Sequence, residues 1–153
     1  MLVRKLIRRW RKQRALRFGY VSLDPSVEGT LIRILALDYY EEEVGRCIGL
    51  WEASRKDALL SDVWVSESWR CRGVGAGLLN AFLLEAKHLG ALLVHGSIVQ
   101  MDLDRTPGLL AWYEKLGFAA VPVTSDEIGP AVVRVENHLG KSTPSSYSSS
   151  GKS

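Results

Sequence analysis

A strand that runs into arginines and glycines and then becomes a helix leaves few folds open, and residues 59–89 have that form. The apolar run Leu59–Val65 reads as a strand. Behind it stands Arg70-Cys71-Arg72-Gly73-Val74-Gly75-Ala76-Gly77-Leu78-Leu79. Residues 76–89 then place Leu78, Leu79, Phe82, Leu83, Ala86 and Leu89 on one helical face, with Gly90 as the stop. Glycines let a backbone approach an anion closely, and the free N–H groups of a helix start point at it, so the turn suits a phosphate. The spacing lacks the Gly-Lys-Ser/Thr ending of a nucleotide-triphosphate loop. It is not Gly-x-Gly-x-x-Gly either, because the glycines fall at 73, 75 and 77.

The segments on either side complete an α/β domain. Phe18–Leu23 reads as a short first strand closed by the turn-like Asp24-Pro25-Ser26. Thr30–Tyr39 is the next strand, and the solvated turn Glu41-Glu42-Glu43 leads to Arg46–Ala53 as its hairpin partner. Ser54-Arg55-Lys56-Asp57 then turns into Leu59–Val65, which makes an antiparallel meander. After the helix, Ala91–Val99 is apolar apart from His95 and Ser97, as in a strand buried on both faces. A second helix is predicted from about Pro107 to Leu116, ended by Gly117, with Phe118–Val123 and Ala131–Asn137 as a closing strand pair. The strand–helix–strand–helix half should set two strands parallel.

Charge divides the chain of 153 residues. Residues 1–20 hold eight basic residues and no acid, whereas the rest holds 12 basic against 17 acidic. Residues 1–17 read as a basic amphipathic helix with Leu2, Val3, Leu6, Ile7 and Trp10 on one face. That helix fits packing on the domain, contact with nucleic acid, a membrane or a partner, or an organelle transit peptide. Residues 18–139 form the domain, and the Ser-rich tail 140–153 is expected to be disordered. No run is long enough to cross a membrane, and Cys47 and Cys71 show no metal-ligand spacing. A reduced, cytoplasmic protein without a metal is expected.

Further along stands Trp112-Tyr113-Glu114-Lys115-Leu116-Gly117-Phe118. Together with the glycine loop, in this order and separation, it resembles the Gcn5-related N-acetyltransferase (GNAT) family, which moves acetyl groups from acetyl-CoA to amines. The resemblance covers roughly residues 30–137. It implies a mixed, mostly antiparallel central sheet flanked by helices, with a βαβα cofactor-binding half. It also implies acetyl-CoA as co-substrate and an amine-bearing small molecule, peptide or protein as acceptor.

The resemblance assigns roles that the chemistry requires. Backbone N–H groups of Cys71, Gly73, Val74, Gly75 and Ala76 would wrap the pyrophosphate, with Arg70 and Arg72 beside them, and the Cys71 thiol takes no part. Main-chain groups of Val63 and Val65, on the strand splayed from its neighbour, would bind the acetyl carbonyl and the pantetheine arm. Tyr113 matches the tyrosine that protonates the departing thiolate. For the base, Asp62, Glu67, Glu52 and His95 are candidates, and Asp62 is preferred because many relatives use a strand carboxylate acting through a water.

Two departures bear on the acceptor half. Many relatives carry Asn seven residues before the tyrosine and Ala four before it; Thr106 and Leu109 stand there, which alters the contact that Thr106 would make with pantetheine. Relatives also place two helices between their first two strands, and the few residues from about Asp24 to Gly29 hold none. Either the basic N-terminal helix or a partner subunit in a homodimer would then complete the acceptor wall. The alternatives to an enzyme are a non-catalytic acyl-CoA-binding module and a nucleic-acid or membrane binder acting through residues 1–17.

Overall fold

The structure, a computed structural model, describes residues 21–123 and 129–140. The basic segment 1–17, residues 18–20 of the expected first strand and the tail from residue 141 lie outside the described residues. Among the described residues, seven strands form one sheet: β1 (Ser22–Glu28), β2 (Leu31–Leu37), β3 (Glu43–Glu52), β4 (Asp57–Val65), β5 (Leu93–Val99), β6 (Ala119–Pro122) and β7 (Ala131–His138). Their spatial order is β1-β2-β3-β4-β5-β7-β6. Among the described residues, three α-helices accompany them: α1 (Val74–Leu89), α2 (Gln100–Arg105) and α3 (Leu109–Lys115). Every strand pair is antiparallel except β4 with β5. This is the mixed, mostly antiparallel architecture that the resemblance implies.

The first strand corrects the sequence reading. Asp24, Pro25 and Ser26 do not turn the chain; they lie inside β1 opposite Leu35, Ile34 and Arg33. β1 is an edge strand, where a proline's missing N–H removes no necessary ladder bond. The turn comes later, at Gly29-Thr30, with Gly29 at φ +60° as a tight hairpin connection requires. Two residues join β1 to β2, so no helix pair stands between them. At the next turn Asp38 Oδ1 accepts the N–H groups of Tyr40 and Glu42, both at 2.9 Å. Glu41 and Glu42 are exposed in that turn, and Glu43 already belongs to β3.

Period-two patterning puts Ile32, Ile34, Ala36, Cys47, Ala58 and Leu60 on the buried sheet face, against α1. The helix answers with Val74, Leu78, Leu79, Phe82 and Ala86. It starts at Val74, two residues ahead of the predicted Ala76, and ends as predicted at Gly90 (φ +98°). Gly49 allows the close seat, because a Cβ there would overlap the Leu59 carbonyl oxygen and the Phe82 ring.

Two features of the second half depart from the sequence expectation. Residues 100–105 form α2, and the expected helix from Pro107 shortens to α3, entered through Gly108 at φ +80°. The parallel contact is also brief. β4 and β5 pair only through Asp57↔Leu93, Ala58↔Val94 and Leu59↔His95. Beyond these residues each strand keeps its other neighbour, β4 with β3 and β5 with β7, and the two separate.

Candidate active site

The separation of β4 and β5 builds the site. Ile48 pairs with Asp62 and Gly49 with Leu60, which leaves Ser61 as the extra residue of a bulge where the strands part. A bulge bends its strand and re-aims the side chains beyond it. The wedge holds a cavity of about 220 Å³. One wall is Leu60, Ser61, Asp62 and Val63 of β4, and the other is Gly96, Ser97 and Ile98 of β5. Asp102, Thr106, Leu109 and Tyr113 close it from the α2–α3 segment, with Val135 behind. Thus Asp62, Val63, Thr106 and Tyr113, dispersed in sequence, come together on one cavity.

At the end of β4 lies the glycine loop. After a single 3-10 turn (Glu67–Trp69), Cys71 stands at φ +59° and Gly73 at φ +82°. Such left-handed residues turn successive N–H groups towards one side, forming an anion-binding concavity. The first intrahelical bond of α1 runs from the Gly77 N–H to the Gly73 carbonyl, so the N–H groups of Val74, Gly75 and Ala76 are those a helix start leaves open. Among the described residues no side chain caps them. Arg70 Nε donates to the Val65 carbonyl at 3.1 Å, fixing the loop to the strand end. The Arg72 guanidinium lies 5.0 Å above the Trp69 ring. A Cβ on Gly75 would come within 3.3 Å of Trp112 Cζ2 and 3.6 Å of Val65 Cγ2, so the loop, β4 and α3 meet there.

Tyr113 is buried at 9% exposure, yet it lines the cavity and its hydroxyl makes no hydrogen bond among the described residues. Its ring packs edge-on against Trp112 and Phe118, at 5.0 and 5.4 Å between centroids. Burial pushes its pKa up to about 12, helped by the nearby Cys47, Asp102 and Asp62. The Cys47 thiol is pushed up by burial and then by Asp62. Both groups are therefore held in their protonated forms.

Asp62 faces the cavity but is already engaged. Its Oδ2 accepts Arg46 Nε at 3.1 Å, and Arg46 Nη1 reaches Glu43 Oε1 at 3.2 Å. The guanidinium also lies 5.1 Å over the Trp64 ring. The hydrogen bonds it donates to Glu43 and Asp62 hold Arg46 still more firmly protonated. The other base candidates lie off the cavity. Glu52 accepts the Ser54 hydroxyl at 2.6 Å in the β3–β4 turn, and Glu67 sits in the 3-10 turn. His95 lies at the last β4–β5 pair, with Nε2 3.5 Å from Asp57 Oδ2.

Sequence reasoning missed Asp102, Arg46 and Trp112. Arg46 and Asp62 are 16 residues apart, and only the β3–β4 register joins them. Asp102 sits in a helix too short to show a period, between the two motifs. Trp112 adjoins Tyr113 within the quoted motif, but nothing local ties it to Gly75.

The sequence matches the profile of an acetyltransferase (GNAT) domain over residues 28–120. The chain belongs to the GNAT acetyltransferase family. No curated protein matches the sequence significantly. Among solved structures, this GNAT protein resembles a GNAT-family acetyltransferase from Staphylococcus aureus Mu50 (15% identity, 72% of this chain and 68% of that one, TM-score 0.61). It also resembles a GNAT-family acetyltransferase from Elizabethkingia anophelis with acetyl-CoA bound (15% identity, 79% and 99%, TM-score 0.60). Tetrahymena Gcn5 is similar as well (14% identity, 76% and 72%, TM-score 0.57). At such identities the likeness is one of fold. Among the described residues no helix of this GNAT domain is long and apolar enough to cross a membrane, and no three potential metal ligands converge.

Proposed function

We propose that this GNAT protein transfers the acetyl group of acetyl-CoA to a primary amine by direct attack in a ternary complex. One observation carries the reading. The open N–H groups of the 71–76 loop lie at the end of the same β4 segment whose wedge also receives Tyr113. A cofactor with its pyrophosphate on Cys71, Gly73, Val74, Gly75 and Ala76, flanked by Arg70 and Arg72, runs its pantetheine arm along β4 into the cavity. There the unpaired edge of β4 offers main-chain groups near Val63 and Val65 to the arm and the thioester carbonyl, and Thr106 adds a hydroxyl on the facing wall.

Attack by the amine nitrogen moves the carbonyl electron pair onto oxygen. Collapse of that intermediate breaks the C–S bond, and the sulfur takes its proton from Tyr113. A tyrosine kept protonated by burial can give a proton throughout the neutral range, and such general acids contribute about 10²–10⁴-fold. Asp62, with Oδ2 held by Arg46, suits orienting the acceptor better than taking its proton. Calorimetric titration of the full chain with acetyl-CoA, and then a screen of primary amines for CoA release, tests the proposal. Binding without release for any amine would instead favour a non-catalytic acyl-CoA-binding module.

A further inference from the structure

Within the N-acetyl transfer reading, on which this inference rests, the proton of the incoming ammonium still needs an acceptor. Two carboxylates line the cavity, Asp62 from β4 and Asp102 from α2. They differ in what holds them. Asp62 is one of the two acids clamping Arg46, so protonating it would break an ion pair that is also stacked on Trp64. Asp102 has no ion pair or side-chain hydrogen bond among the described residues, so a proton placed on it displaces no cation.

Its position is fixed by the backbone. The Thr106 N–H donates to the Asp102 carbonyl at 3.0 Å, which sets Asp102 and Thr106 one helical turn apart on the same cavity wall. Gln100 Nε2 bonds Asp104 at 2.9 Å and so leaves Asp102 unencumbered. Both Asp102 and Tyr113 border the cavity, and Asp102 is exposed at its mouth, open to the solvent that must carry the proton away. The Asp102 charge also acts on Tyr113 more strongly than that of Asp62.

We propose that Asp102 is the catalytic base that deprotonates the acceptor ammonium. The ammonium gives one proton to the Asp102 carboxylate, directly or through one water, and the neutral amine attacks the thioester carbon. The C–N bond forms, the C–S bond breaks, and sulfur leaves with the Tyr113 proton. The second proton shed by the new amide nitrogen restores Tyr113 through water, and Asp102 releases its own to solvent. The products are the amide, CoA thiol and one proton.

The test uses two acceptors that differ in whether they need a base. Ethylamine is protonated at pH 7, whereas methoxyamine is neutral. CoA release is measured for the full-length wild type, Asp102→Asn and Asp62→Asn, with acetyl-CoA affinity measured alongside as a check on folding. Asp102→Asn should lose about 10²-fold or more in kcat with ethylamine, and only a few-fold with methoxyamine. Asp62→Asn should lower both acceptors alike. Equal losses for Asp102→Asn on both amines, or a selective loss in Asp62→Asn instead, overturn the assignment to Asp102 while leaving acetyl transfer standing. Wild type that binds acetyl-CoA and acetylates neither amine counts against the transferase reading and this inference together.

Discussion

The two ends of the β4–β5 contact are built from neighbouring residues and do opposite things. At the closed end, Asp57, Ala58 and Leu59 pair with Leu93, Val94 and His95, and the space between the strands is filled. His95 is buried there, with Nε2 lacking a hydrogen-bond partner among the described residues. At the open end, starting one residue later at Leu60 and Gly96, the strands part around the cavity. A parallel pair thus needs only a short contact to be anchored. Past that contact the two strands can open into a binding cleft, provided each has another neighbour to satisfy its backbone. β3 and β7 supply those neighbours.

The open end should be the more sensitive to changes that touch ligand. Replacing Gly73 and Gly75 together with valine should abolish acetyl-CoA binding, a loss of about 100-fold or more by calorimetry, as expected for one or two lost anion contacts. Gly73 sits at φ +82°, where a β-branched residue is strained, and a side chain at Gly75 meets Trp112. Undiminished affinity would move the pyrophosphate off this loop.

Tyr113→Phe ranks next. It keeps the ring packing on Trp112 and Phe118 but removes the proton, so kcat should fall about 10²–10⁴-fold while acetyl-CoA affinity stays within a few-fold. The same residue predicts a pH signature. With its pKa at about 12, Tyr113 should still be protonated where exposed tyrosines ionise, near pH 10. A spectroscopic tyrosinate titration of Tyr113→Phe against wild type should therefore lose its most alkaline step.

Gly49→Ala tests the support beneath both ends. The added methyl would overlap the Leu59 carbonyl and Phe82, so unfolding by urea should show a loss of about 1–3 kcal/mol. No loss would mean that α1 sits less tightly on β3 and β4 than the packing indicates.

The smallest effect belongs to the closed end. Burial, and then the positive charge of Arg134, lower the His95 pKa, against the opposing pull of Asp57 and Glu136 and with Arg55 adding to the decrease. A lowered folded-state pKa means that the unfolded chain binds the proton more readily. His95 thus contributes stability that is present above its unfolded value of about 6.5 and is lost as pH falls below it towards the folded value. His95→Gln should flatten that part of the stability–pH curve. A slope that persists unchanged in the variant would assign it to other groups.

Much of this was legible in the chain because it is local. The glycines at 73, 75 and 77, the three-and-four spacing of Leu78, Leu79, Phe82 and Ala86, and the stop at Gly90 specify a strand–loop–helix wherever they occur. The Trp-Tyr-Glu-Lys-Leu-Gly-Phe run likewise fixes a short helix and its end, since Gly117 takes φ +89° behind it. Only the tertiary structure decided the rest. Pro25 can lie within a strand because β1 falls at the sheet edge, a matter of strand order that no local pattern encodes. Arg46 meets Asp62 through the β3–β4 register, and the Ser61 bulge shifts that register. Asp102 reaches the cavity because β4 and β5 separate after Leu59 and His95 and leave α2 at the mouth. Backbone preference and hydrophobic period act over a few residues, and so the glycine loop and the short helix that carries Tyr113 could be read from the sequence. The cavity depends on which strands lie side by side, and that is settled only when the whole sheet forms.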